Sequence, residues 1–197
     1  MKHVSLVGAA AFALSVAPAL AQQPSTPPSP QPKAMSSTDK SSGDHHFVME
    51  AAQGGMAEVE LGKIATDKAA SPDVKKFAQR MVDDHGKAND ELKTLAQNKN
   101  IMLPTAIDAK QKAKIDKLSK MSGEAFDRAY MKDMLADHRK DVAAFRTESK
   151  SGKDADVKAW AAKTLPTLEE HLKQAEDANR AVGTSGTMSK KPTAKSK

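Results

Sequence analysis

Three histidines in the helical part of this chain, each directly preceded by an acid, stand at Asp84-His85, Asp137-His138 and Glu170-His171. Each falls on the apolar stripe of a different predicted helix, and Glu58 falls on the stripe of a fourth. A carboxylate and neutral imidazoles supply the oxygen and nitrogen lone pairs that suit Zn²⁺, Fe²⁺ or Cu²⁺, so Glu58, His85, His138 and His171 form a candidate transition-metal set. The same four residues could instead make a hydrogen-bonded layer that fixes helix register with no ion. Met81 and Met134 lie four residues before a histidine on the same face, where a thioether could serve copper, although methionine on a helical stripe is usually core filler. The acids beside the histidines point about 100° away around their helices and are better placed to reach a neighbouring helix than the adjacent ring. His45-His46 at the domain edge reads as a surface pair. The sequence contains no nucleophile motif, phosphate loop or internal repeat, so an enzyme ranks behind a binding or structural role.

The elements that must carry these residues follow from spacing. A first helix is predicted over about 46–70, with Phe47, Ala51, Gly54, Glu58, Leu61 and Ala65 on one face. Gly54-Gly55 is costly there and implies close approach of a neighbouring backbone. Ser71-Pro72-Asp73 supplies an N-cap, a proline at the first helical position and an acid in the first turn. The second helix, over about 73–98, carries Phe77, Met81, His85 and Leu92, and so short a joint makes the first two helices antiparallel neighbours. After Leu103-Pro104, Thr105 should cap a short helix through Lys120. A long helix over about 123–150 buries Phe126, Tyr130, Met134, His138, Val142 and Phe145. The last, over about 155–182, is capped by Asp154, carries Trp160, Leu168 and His171, should kink or break at Pro166, and stops at Gly183.

Short, long, short connections define an all-α, ferritin-like four-helix bundle with a long crossover, containing a short helix, between the second and third long helices. The crossover can span roughly 50 Å, enough to run the length of a helix of about 40 Å. Glu58, His85, His138 and His171 each lie near the midpoint of their helix, which places them within about 4 Å of one level whichever way each helix points.

Composition bounds the rest. Lys2-His3, an apolar run over 4–16 and Ala19-Leu20-Ala21 read as a signal peptide over 1–21, too short to span a membrane. Residues 22–45 are a Pro/Ser-rich linker and 183–197 a basic tail, both too poor in apolar groups to order, leaving 46–182 as the bundle domain. There are no cysteines, which excludes disulfides, thiolate metal sites and a lipidated cysteine. Of the formal charge of +6, Lys2 and four tail lysines supply five, so residues 46–182 carry only +1. Nucleic acid is therefore not an expected partner, and the tail would touch anionic surfaces only weakly. The expected location is the periplasm or outside the cell, with an envelope partner of unknown identity.

The stretches GGMAEVELGKIA (54–65), VKKFAQRMVDDHGKANDEL (74–92), SGEAFDRAYMKDMLADHRKDVAAF (122–145) and VKAWAAKTLPTLEEHLKQA (157–175) together resemble the domain-of-unknown-function family 4142. The resemblance implies an exported bacterial protein with a ferritin-like fold, often labelled an outer-membrane protein and without assigned activity. Ferritin-like di-iron proteins carry Glu-x-x-His pairs, whereas here Val82, Leu135 and Leu168 stand three residues before the histidines, so di-iron chemistry is not expected. Two readings follow: a non-enzymatic structural, interaction or envelope-stress module, and, as the alternative, a protein that binds a transition metal through Glu58, His85, His138 and His171.

Overall fold

The computed structural model describes residues 42–188, in five helices: α1 (Ser42–Lys68), α2 (Pro72–Asn98), α3 (Ala109–Ser119), α4 (Gly123–Ser151) and α5 (Ala155–Met188). The leader expected at 1–21, the part of the expected linker before residue 42 and the part of the expected tail beyond residue 188 lie outside these residues. Four long helices form the bundle. α1 packs on α2 and α4, and α5 packs on the same two, so α1/α5 and α2/α4 stand on the diagonals. The short α3 lies in the crossover against α1 and α4. This is the all-α, ferritin-like bundle that the spacing predicts. No helix among the described residues is long and apolar enough to cross a membrane.

Local chemistry sets most boundaries. Ser71 caps α2 with Pro72 in its first turn. Asp154 caps α5, its Oδ1 accepting from the backbone N–H of Asp156 at 3.0 Å and of Val157 at 3.1 Å. α2 ends in a Schellman arrangement: Asn100 takes a left-handed φ of 54°, Ile101 N–H reaches Ala96 O at 2.9 Å and Asn100 N–H reaches Gln97 O at 3.2 Å. Gly123 opens α4 at φ +64°, a conformation that explains glycine there.

Four expectations are corrected. α1 begins at Ser42 instead of near residue 46, because Asp44 in its first turn is buried and accepts from the backbone N–H groups of Lys153 and Asp154. α5 continues through Gly183 to Met188, since one exposed glycine costs a helix only about 1 kcal/mol and need not end it. The crossover helix starts at Ala109, where Asp108, not Thr105, supplies the cap through Gln111 N–H at 2.7 Å. α5 also runs through Pro166 unbroken. Both Pro166 and Ala162, whose carbonyl loses its helical donor, are exposed, so water can satisfy that oxygen.

The paired glycines act differently from the expectation too. Gly55 makes room for the Asn89 side chain, while a Cβ on Gly54 would meet open space. The backbone approach occurs two turns on from Gly55, at Gly62, where a Cβ would sit 2.9 Å from Ala78 O and 2.9 Å from Val82 Cγ2.

Two carboxylates hold the hairpins together. Asp127, buried on α4, accepts from Ala70 N–H at 3.1 Å and Ser71 N–H at 2.8 Å in the α1–α2 turn. At the opposite end Asp44 on α1 does the same for the α4–α5 turn. These contacts put the starts of α2 and α4 at one end and the starts of α1 and α5 at the other, so the crossover runs the bundle's length. Asp127→Ala leaves two backbone donors without a partner and is expected to lower unfolding stability by about 2–4 kcal/mol, whereas Asp127→Asn, which keeps one acceptor, should lose roughly half of that. Urea melts monitored by far-ultraviolet circular dichroism measure both.

The apolar core lies in two parts. One contains Leu61, Phe77, Met81, Phe126, Tyr130 and Met134 among others, and the second contains Phe47, Leu92, Val142, Phe145, Trp160 and Leu168. On α2, α4 and α5 the boundary between the two falls at His85, His138 and His171, and on α1 it falls between Ala52 and Ala57, just before Glu58.

Candidate metal centre

Each helix brings one polar side chain to this seam because its apolar stripe is interrupted there and nowhere else near its middle. Glu58, His85, His138 and His171 are exposed by only 4%, 6%, 0% and 0%, so none is a surface residue that happens to face inward. The three imidazole rings form a near-regular triangle, with centroids 5.6 Å apart for His85 and His138, 5.3 Å for His85 and His171, and 5.4 Å for His138 and His171.

One nitrogen of each ring is engaged and the other is not. His138 Nδ1 lies 3.0 Å from the Met134 carbonyl oxygen, which can only accept, so Nδ1 carries the proton. His171 Nε2 donates to Asp84 Oδ2 at 2.8 Å, and His85 Nδ1 to Glu58 Oε2 at 3.0 Å. The remaining nitrogens, His85 Nε2, His138 Nε2 and His171 Nδ1, are buried with no hydrogen-bond partner. Ligand nitrogens of the three histidines lie within 4.8 Å of one another. Carbonyl or carboxylate support behind each imidazole is the arrangement that fixes tautomer and ring direction in metal sites.

Electrostatics follow from burial. Burial pushes the Glu58 carboxyl up, but His85, His138 and His171 outweigh it and hold its pKa at about 2. Burial pushes His85 down, but Glu58 more than compensates, and the net shift is upward. Burial dominates at His138, which moves down, and at His171, which falls to about 4 despite the Asp84 hydrogen bond. His171 is thus neutral at physiological pH, the form that offers a lone pair.

The sequence-derived set converges, with one change of role. Glu58 does not join the triangle of free nitrogens; it sits behind His85, and its Oε1 is 3.5 Å from His138 Nδ1. The acids beside the histidines do reach across to neighbouring helices: Asp84 to His171, Asp137 to Lys114 at 2.6 Å and Glu170 to Arg80 at 2.6 Å. Met81 and Met134 are fully buried in the apolar core. Asp141, one turn beyond His138 on α4, lines a cavity of about 30 Å³ together with Glu58 and His85 and was not visible as a candidate. Its spacing of three from His138 is the one signal that could have found it.

An ion bound at about 2.0–2.1 Å to three imidazole nitrogens holds those nitrogens roughly 3.4 Å apart, so these rings need close by no more than about 1.4 Å. The cavity of about 30 Å³ that adjoins His85 and Glu58 is large enough for a water molecule. Three neutral imidazoles suit zinc and both copper oxidation states.

A ferritin-like bundle with a buried histidine triad at the seam of its core is the class of protein defined by this fold and site. The chain belongs to the family described as Domain of unknown function (DUF4142), whose profile matches residues 29–178. No curated protein matches it in sequence. Among solved structures it is similar to a DUF305 fragment from Deinococcus radiodurans, at 14% identity and a TM-score of 0.62, covering 73% of this chain and 97% of that one. It is also similar to CopM in the Cu(II)-bound form, at 17% identity and a TM-score of 0.59, covering 70% of this chain and 96% of that one. CopM in an Ag-bound form gives 19% identity and a TM-score of 0.58, with 70% and 96% covered. At these identities the likeness is one of fold.

Proposed function

We propose that this chain is an exported envelope protein that holds one transition-metal ion, with copper the first candidate, between His85, His138 and His171. The observation that carries the reading is the convergence of three buried imidazoles, with ligand nitrogens within 4.8 Å of one another, each ring keeping one nitrogen without a partner while an oxygen braces the other. Leaving three such groups dry costs about 1–3 kcal/mol apiece unless something binds them. Glu58 braces His85 instead of binding the ion. Copper comes first because the structurally similar CopM is described in Cu(II)- and Cu(I)-bound forms, and sequestration or stress protection is the corresponding role. Export rests on the leader at 1–21.

The competing reading is a lock on helix register without an ion. It draws on the chain from Glu170 through Arg80 and Asp84 to His171, which ties α2 to α5.

Elemental analysis and calorimetric titration with copper, zinc and ferrous iron test the proposal, in a His45→Ala, His46→Ala background that removes the exposed pair. One equivalent is expected, with stabilisation by about 2.7 kcal/mol at a free ion concentration of 100 Kd. Affinity should weaken as pH falls, because protons compete for the same lone pairs and the Glu58-supported His85 takes its proton first. Absence of stoichiometric uptake of any of the three ions would overturn the proposal.

A further inference from the structure

The triad is closed to solvent, and an ion must reach it. Two voids approach it from the α1 side. The outer one is a groove of about 470 Å³ between α1, α3 and α4. The inner one is the cavity of about 30 Å³ that Glu58 and His85 line. Ala51, Gly54, Glu58, Asp141 and Phe145 line both, so the groove and the cavity meet across these side chains.

The shared wall is thin where Gly54 stands, since a Cβ there would meet nothing within 4 Å. Two carboxylates flank it. Glu58 is buried, and its Oε1 has no hydrogen-bond partner. Asp141 is half-buried and makes no hydrogen bond or ion pair among the described residues. Two of the three lysines that line the groove are engaged, Lys114 with Asp137 at 2.6 Å and Lys140 with Glu50 at 3.4 Å, while Lys110 is exposed at its outer rim. A cation that enters the groove therefore meets the Asp141 carboxyl at the narrowest point, next to an open patch of helix backbone; burial and the nearby Glu58 push that carboxyl well above the ordinary carboxylate range.

We propose that the α1–α4 groove is the entry route to the triad, with Gly54 keeping its neck open and Asp141 receiving the cation in transit from solvent to His85. The inference rests on the metal-binding reading and adds the path and the two residues that govern exchange. It also explains a helix-weakening glycine at a position where no neighbour requires the space. Gly55, one residue on, is accounted for by Asn89; Gly54 is not accounted for by packing.

Cobalt(II) is the probe, because its visible absorption rises strongly on passing from octahedral water to a four-coordinate imidazole site. Rapid mixing gives the uptake rate, mixing the loaded protein with excess chelator gives the release rate, and equilibrium titration gives Kd. Gly54→Leu is expected to slow uptake and release by tenfold or more each while changing Kd less than twofold. Gly54→Ala, too short to fill the neck, should exchange at rates close to wild type. Asp141→Asn should slow uptake several-fold. Wild-type exchange rates in Gly54→Leu, with a melting temperature showing that it is folded, would overturn the route; were that variant not to fold, Asp141→Asn decides alone. A wild-type chain that takes up no cobalt, zinc or copper would instead overturn the triad reading itself.

Discussion

Leucine at both positions 138 and 171 is expected to abolish uptake of the ion while leaving the metal-free protein at least as stable as wild type. In the metal-free state His138 Nε2 and His171 Nδ1 are buried without partners, each unfavourable by about 1–3 kcal/mol. Apolar groups of similar volume remove that deficit, and replacing buried polar groups by packed hydrophobes is often neutral or stabilising by about 1–4 kcal/mol. Of the groups left behind, Glu58 loses His138 at 3.5 Å but keeps His85 at 3.0 Å. Asp84 keeps Arg80 at 3.0 Å, and the Met134 carbonyl lies within α4, whose helical ladder supplies it a donor. A lock on register predicts the reverse, a loss of several kcal/mol with no ion involved. Denaturant unfolding of metal-free proteins, beside stoichiometry by elemental analysis, separates the two in one pair of samples.

Glu58→Ala should be the most destabilising single change in the layer, by about 3–5 kcal/mol, since it removes the partner of a buried, charge-supported imidazole and leaves His85 Nδ1 without an acceptor. The sign of its pH dependence follows from the carboxyl held at about 2 in the folded state against an ordinary 4.5. A depressed carboxylate contributes stability that is complete above its unfolded pKa and is lost as pH falls toward the folded one. Wild-type stability should therefore decline between about pH 4.5 and 2, and the Glu58→Ala curve should be flatter across that window. Glu58→Gln, which keeps the shape and one acceptor, should fall between them. Chemical denaturation at a series of pH values measures all three.

The long helices and the common height of Glu58, His85, His138 and His171 were legible because both depend on spacing within a segment. Periodicity marks which face is buried, and distance from each helix middle marks depth. It does not tell what a side chain meets once it is inside. Glu58 shares the layer and yet stands behind His85, a distinction set by rotamer and by helix rotation of a few tens of degrees. The clasping acids were invisible for a related reason. Asp127 serves donors 56 and 57 residues away, and Asp44 serves donors 109 and 110 residues away, so no local pattern announces either. The early start of α1 followed from that second contact. Gly183 and Pro166 misled because the penalties for glycine and proline in a helix are small enough for packing and solvation to override.

Asp127 and Asp44 act at opposite ends, each belonging to one hairpin and completing the turn of the other. Neither pair of helices contains the acceptors its own bend requires. A half-formed molecule would leave those amides to water and lose the geometry of the bend with them. The two halves are therefore obliged to order together, and the depth of the histidine layer is set by a mutual clasp instead of by either half alone.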